Sequence, residues 1–100
     1  MAETAVRAEG GTLAVSGVLD FDSVLSLQAQ GVQWIEGAAP AQFTLDLAAV
    51  QYSSSAGLAL LLDWLRAAAR SDKVARIAHM PPDMQALVRV SGLDHLLPTV

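Results

Sequence analysis

Apolar and polar residues follow two different spacings along this chain. An alternation with a period of two is typical of strands, because successive strand side chains point to opposite faces of a sheet. Apolar residues repeated every three or four positions are typical of amphipathic helices. The alternating stretches predict strands at residues 5–8, 12–19, 42–47 and 73–78. The helical stretches predict helices at residues 21–36, 55–70 and 82–91.

The predicted order is therefore β-β-α-β-α-β-α. Strands that are followed by helices imply parallel crossovers, with the helices packed on the sheet. Gly10 and Gly11 lie between the first two strands and predict a hairpin. Asp20 or Asp22 offers an N-cap for the first helix, and Gly92 fits the C′ position of the third.

Each predicted helix has an apolar flank that would face the sheet. In the first helix this flank consists of Val24, Leu25, Leu27, Gln28, Val32 and Ile35. In the third helix it consists of Met84, Leu87 and Val88. A final short turn is expected to bring Leu93, Leu96 and Leu97 onto the core, and Pro98 to end the ordered chain. An aromatic residue at helical spacing, such as Trp34, is more often at the edge of a core than in a binding site.

The second helix has more apolar surface than one core stripe requires. The stripe consists of Leu58, Leu61, Leu62, Leu65 and Ala69. Beside it lie Leu60, Trp64, Ala67 and Ala68. Either another helix covers these additional residues, or they form a docking face for a partner, and the pattern agrees equally well with both.

Small and polar residues at positions 51–58, here called the serine segment, connect the third strand to the second helix. Ser53, Ser54 and Ser55 stand where a helix needs an N-cap, whose side-chain oxygen accepts N–H groups of the first turn. Gly57 lowers helix propensity in that turn, which indicates a close approach by neighbouring backbone or by a partner. The helix N-terminus also favours an anion such as phosphate. From these properties alone, a structural cap on a core helix is the simpler interpretation.

Length and composition limit the classes of function. One hundred residues, of which 53% are apolar and 16% charged, are typical of one small folded domain. The surplus of apolar surface favours an oligomer or a permanent partner. A net charge of −4, with acids spread along the chain, argues against a nucleic-acid binder.

The sequence also predicts a soluble, cytoplasmic protein without direct membrane insertion. The first ten residues lack the apolar core of a signal peptide. The most apolar segment, residues 56–65, is far shorter than the ~20 residues that cross a bilayer. The absence of cysteine excludes disulfides and cysteine-based zinc sites, and it fits a reducing compartment.

Motifs for catalysis or metal binding are missing from the sequence. His79 and His95 are sixteen positions apart and lack partners at ligand spacing. Ser54 is not in a G-x-S-x-G motif, and the chain has no glycine-rich phosphate loop. We therefore expect no catalytic residue, metal or cofactor, and an interaction module rather than an enzyme.

Two stretches around the serine segment resemble the signature of STAS domains. Residues 46–50 read DLAAV and residues 55–62 read SAGLALLL, similar to D-L-S-x-V and S/T-[SAG]-G-L-x-x-L-L in that family. Residues 64–66, 81–82 and 89–98 are similar to its MlaB branch, so that the likeness spans essentially the whole chain. The resemblance implies a single STAS domain over residues 1–100. The implied fold is α/β, with a four- to five-stranded mixed sheet and helices packed mainly on one face.

The MlaB branch implies a function in lipid transport. MlaB-like proteins are small cytoplasmic subunits of an ABC system that moves phospholipids between the membranes of Gram-negative bacteria. The resemblance implies a non-catalytic subunit that binds the MlaF-like ATPase and contacts the permease only indirectly. Through this complex the protein would lie at the inner membrane. The resemblance does not decide whether the protein forms a homodimer. Ser55 matches the position at the ATPase contact. The other residues of the implied contact are Gln51, Tyr52, Ser53, Ser54, Ala56, Gly57 and Leu58.

The antagonist branch of the family implies an alternative function. There, a partner kinase phosphorylates the serine at the position of Ser55, which would make this chain a phospho-regulated anti-sigma factor antagonist. That branch usually has Asp before the phosphorylated residue, whereas this chain has Ser54, which replaces Asp in capping but not in charge. The difference favours the ATPase-binding function. A third alternative, a lipid or fatty-acyl carrier that uses the Trp64 face, has no motif in its favour.

Overall fold

The computed structural model describes residues 4–100, and its elements follow the predicted order. The strands are β1 (Ala5–Glu9), β2 (Thr12–Leu19), β3 (Gln42–Ser53) and β4 (Val74–Ala78). The helices are α1 (Val24–Glu36), α2 (Ser55–Arg70) and α3 (Pro82–Val90). The bounds of α2 agree with the predicted helix at residues 55–70. No helix in this described part of the chain has the length and apolar character needed to cross a membrane.

The strands form one mixed sheet in the order β1-β2-β3-β4. β1 and β2 are antiparallel, and the other two pairs are parallel. Gly10 and Gly11 have φ angles of 57° and 84°, which the hairpin between β1 and β2 requires and which glycine adopts without strain. The predicted hairpin, α/β class and mixed sheet are therefore confirmed.

One face of the sheet is covered by the helices and the other is open. In β2, the odd-numbered residues from Leu13 to Leu19 are buried, whereas the even-numbered residues from Thr12 to Val18 are half-buried. This alternation is the burial pattern of a strand with helices on one side only. It agrees with the predicted arrangement of helices mainly on one face.

The strand β3 is six residues longer than predicted. Between Asp46 and Tyr52, β3 contains two more residues than the stretch of β2 from Ala14 to Val18 with which it pairs. These extra residues form β-bulges, each of which shifts the inward and outward alternation by one position. The alternation predicts an end at residue 47, because it is lost there, although the pairing with β2 continues to Ser53.

The helix α1 begins later than predicted, at Val24 rather than at residue 21. The carboxylate of Asp20 accepts hydrogen bonds from the backbone N–H groups of Asp22 and Ser23, each at 3.0 Å. Asp20 thus stabilises the turn that leads into the helix. The N-cap itself is Ser23, so the prediction of Asp20 or Asp22 at that position is wrong. The prediction that Leu25 belongs to the buried flank is wrong, because its side chain is 77% exposed.

The additional apolar residues of α2 are buried, and Trp64 packs against α1. Leu60, Trp64, Ala67 and Ala68 are each at most 2% exposed. The indole Nε1–H of Trp64 donates a hydrogen bond to the backbone oxygen of Gln28 at 3.3 Å. Another helix therefore covers this surface. The prediction that these residues form a docking face is wrong, and so is the prediction that Trp64 offers a surface for carrying a lipid. Within the predicted stripe, Leu58 and Leu61 are buried, but Ala69 is exposed.

Trp34 lies at the edge of the core, as its position predicts. Its ring packs edge-on against that of Phe43, with 5.3 Å between ring centroids and 87° between the planes. Phe43 is buried, whereas Trp34 is half-buried. This geometry is one that aromatic pairs prefer, because the ring edge is positive and the face negative.

The helix α3 ends in the predicted glycine cap. Gly92 has a φ of 70°, and the N–H of Leu93 donates to the carbonyl of Val88 at 3.0 Å. This bond satisfies a free carbonyl of the last helical turn, as in a Schellman motif. Met84 and Val88 are buried and Leu87 is half-buried, close to the predicted inward face.

The residues after α3 return to the sheet. Leu97 is buried and Leu93 half-buried, but Leu96 is 54% exposed, so the prediction that Leu96 joins the core is wrong. Pro98 does not end the ordered chain either. The N–H of Ile77 in β4 donates to the carbonyl of Pro98, and the N–H of Val100 donates to the carbonyl of Ile77, both at 2.9 Å. Residues 98–100 thus pair with the outer edge of β4.

Candidate partner-binding site

The serine segment spans the end of β3 and the start of α2, beside the end of β2. Ser54 connects these elements, because its N–H donates to the carbonyl of Leu19 at 2.9 Å. The hydroxyl of Ser54 accepts the N–H of Ala56 at 3.1 Å and lies 3.3 Å from the carbonyl oxygen of Leu19. Ser54 is thus the N-cap of α2, in the extended conformation typical of that position.

Gly57 makes room for two side chains of the protein itself. A Cβ atom at this position would overlap the hydroxyl oxygen of Ser53 and would approach Leu19 to within 3.1 Å. The hydroxyl of Ser53 donates to the carbonyl of Ser54 at 2.9 Å, and Ser53 is only 7% exposed. The close approach that the sequence indicates at Gly57 therefore comes from neighbouring side chains within the domain.

The eight residues of the serine segment divide by exposure. Gln51, Tyr52 and Ser55 are exposed, and Ser54 is half-buried. Ser53, Ala56, Gly57 and Leu58 are buried. A partner at this segment would therefore meet the side chains of the first group, whereas the buried residues fix the shape of the surface.

Ser55 is the first residue of α2 and presents its side chain to solvent. The hydroxyls of Ser53 and Ser54 are engaged in hydrogen bonds within the domain. Backbone N–H groups at a helix N-terminus and the helix dipole favour an acceptor or an anion beside Ser55. Of the three serines, Ser55 is therefore the one that is placed for an external contact or a modification.

An exposed apolar groove adjoins the serine segment, and it is here called the α1–α2 groove. It has a volume of about 120 Å³ and is lined by Phe21, Val24, Leu25, Gln28, Ala56, Ala59, Leu60 and Asp63. Phe21 is 70% exposed and Leu25 is 77% exposed. The apolar spacing does not predict this surface, because it places Leu25 on the buried flank of the first helix, whereas Phe21 lies in the turn before α1.

Asp46, the acid of the DLAAV motif, lies away from the serine segment. Its carboxylate accepts hydrogen bonds from His79 Nδ1 at 2.9 Å and from the N–H of Ala48 at 3.0 Å. The bond from His79, and then that from Ala48, lowers the pKa of Asp46 below its ordinary value. Because Asp46 precedes the end of β3 by roughly 20 Å of strand, it stabilises the bulged strand rather than the candidate site.

Among residues 4–100, no three His, Asp or Glu side chains come close enough together to hold a metal ion. His79 is engaged with Asp46, and His95 is exposed in the turn after α3. The site described above is therefore a surface of serine hydroxyls, small residues and exposed apolar side chains. Such a surface can bind by shape complementarity and hydrogen bonding.

The fold is similar to that of solved anti-sigma factor antagonists. An anti-sigma factor antagonist from Mycobacterium paratuberculosis is 23% identical, with a TM-score of 0.72 over 99% of this chain and 85% of that chain. The phosphorylated form of SpoIIAA from Bacillus is 19% identical, with a TM-score of 0.69 over 98% of this chain and 91% of that chain.

A third similar structure is a chain of the Acinetobacter MlaFEDB complex in its ATP-bound Vtrans1 conformation. It is 22% identical, with a TM-score of 0.82 over 96% of this chain and all of that chain. At these identities the likeness shows the fold. A comparison with curated proteins gives no match. The family model described as the MlaB STAS domain matches residues 3–98, and the chain belongs to that family.

Proposed function

We propose that this protein is a non-catalytic subunit of an ABC-type phospholipid transport system and binds its ATPase subunit through the exposed part of the serine segment. The observation that carries the proposal is the position of Ser55. It is exposed at the start of α2, while the neighbouring serines are held in hydrogen bonds within the domain. Membership of the MlaB family and the likeness to a chain of the MlaFEDB complex support this choice of partner.

The site is well suited to a permanent contact. Ser54 fixes the start of α2 to the end of β2, and Gly57 allows Ser53 to pack beneath it. A surface held in this way loses little conformational freedom when a partner binds, which favours affinity. Through the ATPase, the protein would lie beside the permease at the inner membrane without inserting into it.

Co-expression with the ATPase subunit of the same transport system tests the proposal. We expect the two proteins to elute together in size-exclusion chromatography, and the ATPase to be more stable or more active in the complex. Separate elution together with unchanged ATP hydrolysis would contradict the proposal.

A second function, that of a phospho-regulated anti-sigma factor antagonist, is favoured by the exposed hydroxyl of Ser55 at a helix N-terminus. The likeness to phosphorylated SpoIIAA supports it at the level of the fold. Phosphorylation would add about −1.5 to −2 charges at this surface and disrupt a contact that supplies no arginine. Incubation with a candidate anti-sigma kinase, followed by mass spectrometry, tests it. If Ser55 stays unmodified, this second function is wrong.

A further inference from the structure

The α1–α2 groove exposes more apolar surface than a solvent-facing helix start requires. Phe21 and Leu25 line it from the start of α1, and Ala59 lines it from α2. Leu60 is 2% exposed and Ala56 is 3% exposed, so the floor of the groove belongs to the core. Two large apolar side chains left in water beside such a floor are typical of an interaction surface.

The groove is continuous with the serine segment. Ala56 lines it, and Ala59 follows Ser55 by one helical turn on the same side of α2. The hydrogen bond between Ser54 and Leu19 also places the start of the chain segment that carries Phe21 beside the N-cap of α2. A partner that contacts Ser55 therefore reaches the groove without a second, separate docking event.

Three carboxylates line the groove or adjoin in sequence a residue that lines it. Asp20 and Asp22 precede α1, and Asp63 lines the groove from α2. Arg66 forms an ion pair with Asp63 at 2.8 Å and offsets part of this negative charge. The N-termini of α1 and α2 each add roughly half a positive charge, so that with Arg66 included the three carboxylates leave a net charge of about −1.

We propose that the α1–α2 groove binds an apolar side chain from a segment of the ATPase partner that carries Lys or Arg beside that side chain. Phe21 and Leu25 would provide the apolar contact. The carboxylates of Asp20, Asp22 and Asp63, here called the acidic rim, would attract the flanking Lys or Arg side chains. The inference rests on the proposed function, because it assigns a second anchor to the same partner. An anionic membrane surface would be repelled by the acidic rim. A second copy of this chain would bring two acidic rims together, which would also repel each other.

The experiment measures the Kd of the ATPase subunit by isothermal titration calorimetry for the wild type, Leu25→Ser and Val90→Ser. Val90 is the matched control, since it is 87% exposed on α3, away from the groove. We expect Leu25→Ser to weaken binding by about tenfold or more, because a buried apolar anchor is lost, and Val90→Ser to leave the Kd unchanged. Thermal unfolding should be the same for both variants, because both side chains are exposed.

A charge variant tests the acidic rim. We expect Asp22→Lys to weaken binding and to reduce its dependence on salt, whereas Asp94→Lys, in the turn after α3, should change neither. Equal salt dependence in Asp22→Lys and the wild type would overturn the assignment of a basic segment.

The results separate the groove from the proposed function. If the wild type binds the ATPase and Leu25→Ser binds equally well, the groove is not an anchor, while the proposed function stands. If the wild type does not bind, the proposed function itself fails. Sedimentation of a wild-type dimer that Leu25→Ser dissociates, or Leu25-dependent binding to phosphatidylglycerol vesicles, would assign the groove to a different occupant and overturn the inference.

Discussion

Gly31 of α1 lies directly against the indole ring of Trp64 of α2, and a Cβ atom at position 31 would overlap that ring. Trp64 is fully buried, and its Nε1–H is bonded to the backbone of α1 at Gln28. The two helices can pack this closely only because the side chain is missing at Gly31. Through this contact, Trp64, which lies outside the predicted core stripe of α2, becomes part of the core.

We expect Gly31→Ala to destabilise the protein, against the usual order of helix propensities. Displacing a fully packed ring costs about 1–3 kcal/mol, whereas alanine restores about 1 kcal/mol of helix propensity. Urea unfolding followed by circular dichroism measures the net loss. The control is Ala29→Gly on the exposed side of α1, which should cost about 1 kcal/mol from propensity alone. A Gly31→Ala variant more stable than the wild type would contradict the packing described here.

We expect Gly57→Ala to be less harmful when Ser53 is also replaced by alanine. The added methyl group would overlap the hydroxyl of Ser53, so removing that hydroxyl frees the space. A double-mutant cycle in urea should give a coupling energy of roughly 0.5–3 kcal/mol in favour of the double variant. Additive losses would mean that the approach of Leu19, rather than that of Ser53, limits position 57.

The pair formed by Asp46 and His79 should be visible in a titration. Because the folded pKa of Asp46 is lowered, its contribution to stability is present above the ordinary pKa and is lost as the pH falls through the folded pKa. The contribution should be about 1 kcal/mol or less, since the pair is partly exposed.

An NMR titration of the Asp46 carboxyl carbon checks this assignment. We expect a midpoint below the ordinary value of 3.8 in the wild type and a higher midpoint in His79→Ala. The control is His95→Ala, which removes an exposed histidine that is not bonded to Asp46. Equal midpoints in His79→Ala and the wild type would show that His79 does not influence Asp46 in solution.

We expect Ser55→Glu to leave the fold intact and to weaken binding of the ATPase partner. An acid in the first turn of α2 interacts favourably with the helix dipole, so circular dichroism and thermal unfolding should match the wild type. At the contact, the added carboxylate would lose its hydration. We expect the free-energy cost of that loss to exceed the gain from attraction to basic side chains of the partner. The rim carboxylates of the α1–α2 groove differ, because they stay in solvent.

The matched variant Ser55→Gln separates size from charge at this position. It should weaken binding less than Ser55→Glu does, because it brings similar volume without a charge. A collapsed circular dichroism spectrum for Ser55→Glu would mean that Ser55 has a structural role instead.

Much of the fold could be predicted because several sequence signals agree. In α2, the apolar spacing and the serine cap both indicate the start that the structure has. The second half of β3 could not be predicted, because two bulges between Asp46 and Tyr52 break the alternation on which the prediction rests. Pairing with β2 keeps that half in the sheet, and such a long-range contact leaves no local signal.

The candidate site could be predicted only in part. The position of the N-cap at Ser54 follows from residue type and spacing, but the sequence does not tell which of three adjacent serines is exposed. The burial of Trp64 depended on a glycine in the middle of α1. A glycine inside a helical pattern indicates a close packing contact, and Gly31 was therefore the available signal that another helix covers α2.

The pairing of residues 98–100 with β4 has a consequence for how copies of this domain can join. A fibre grown by adding strands requires two unpaired edges on every molecule. At the β4 edge, the N–H and carbonyl groups of Ile77 are already bonded to Pro98 and Val100. Residues 98–100 therefore protect the β4 edge at Ile77 against the addition of a further strand. At the opposite edge of the sheet, β1 carries the exposed charges of Arg7 and Glu9, which disfavour the addition of another strand.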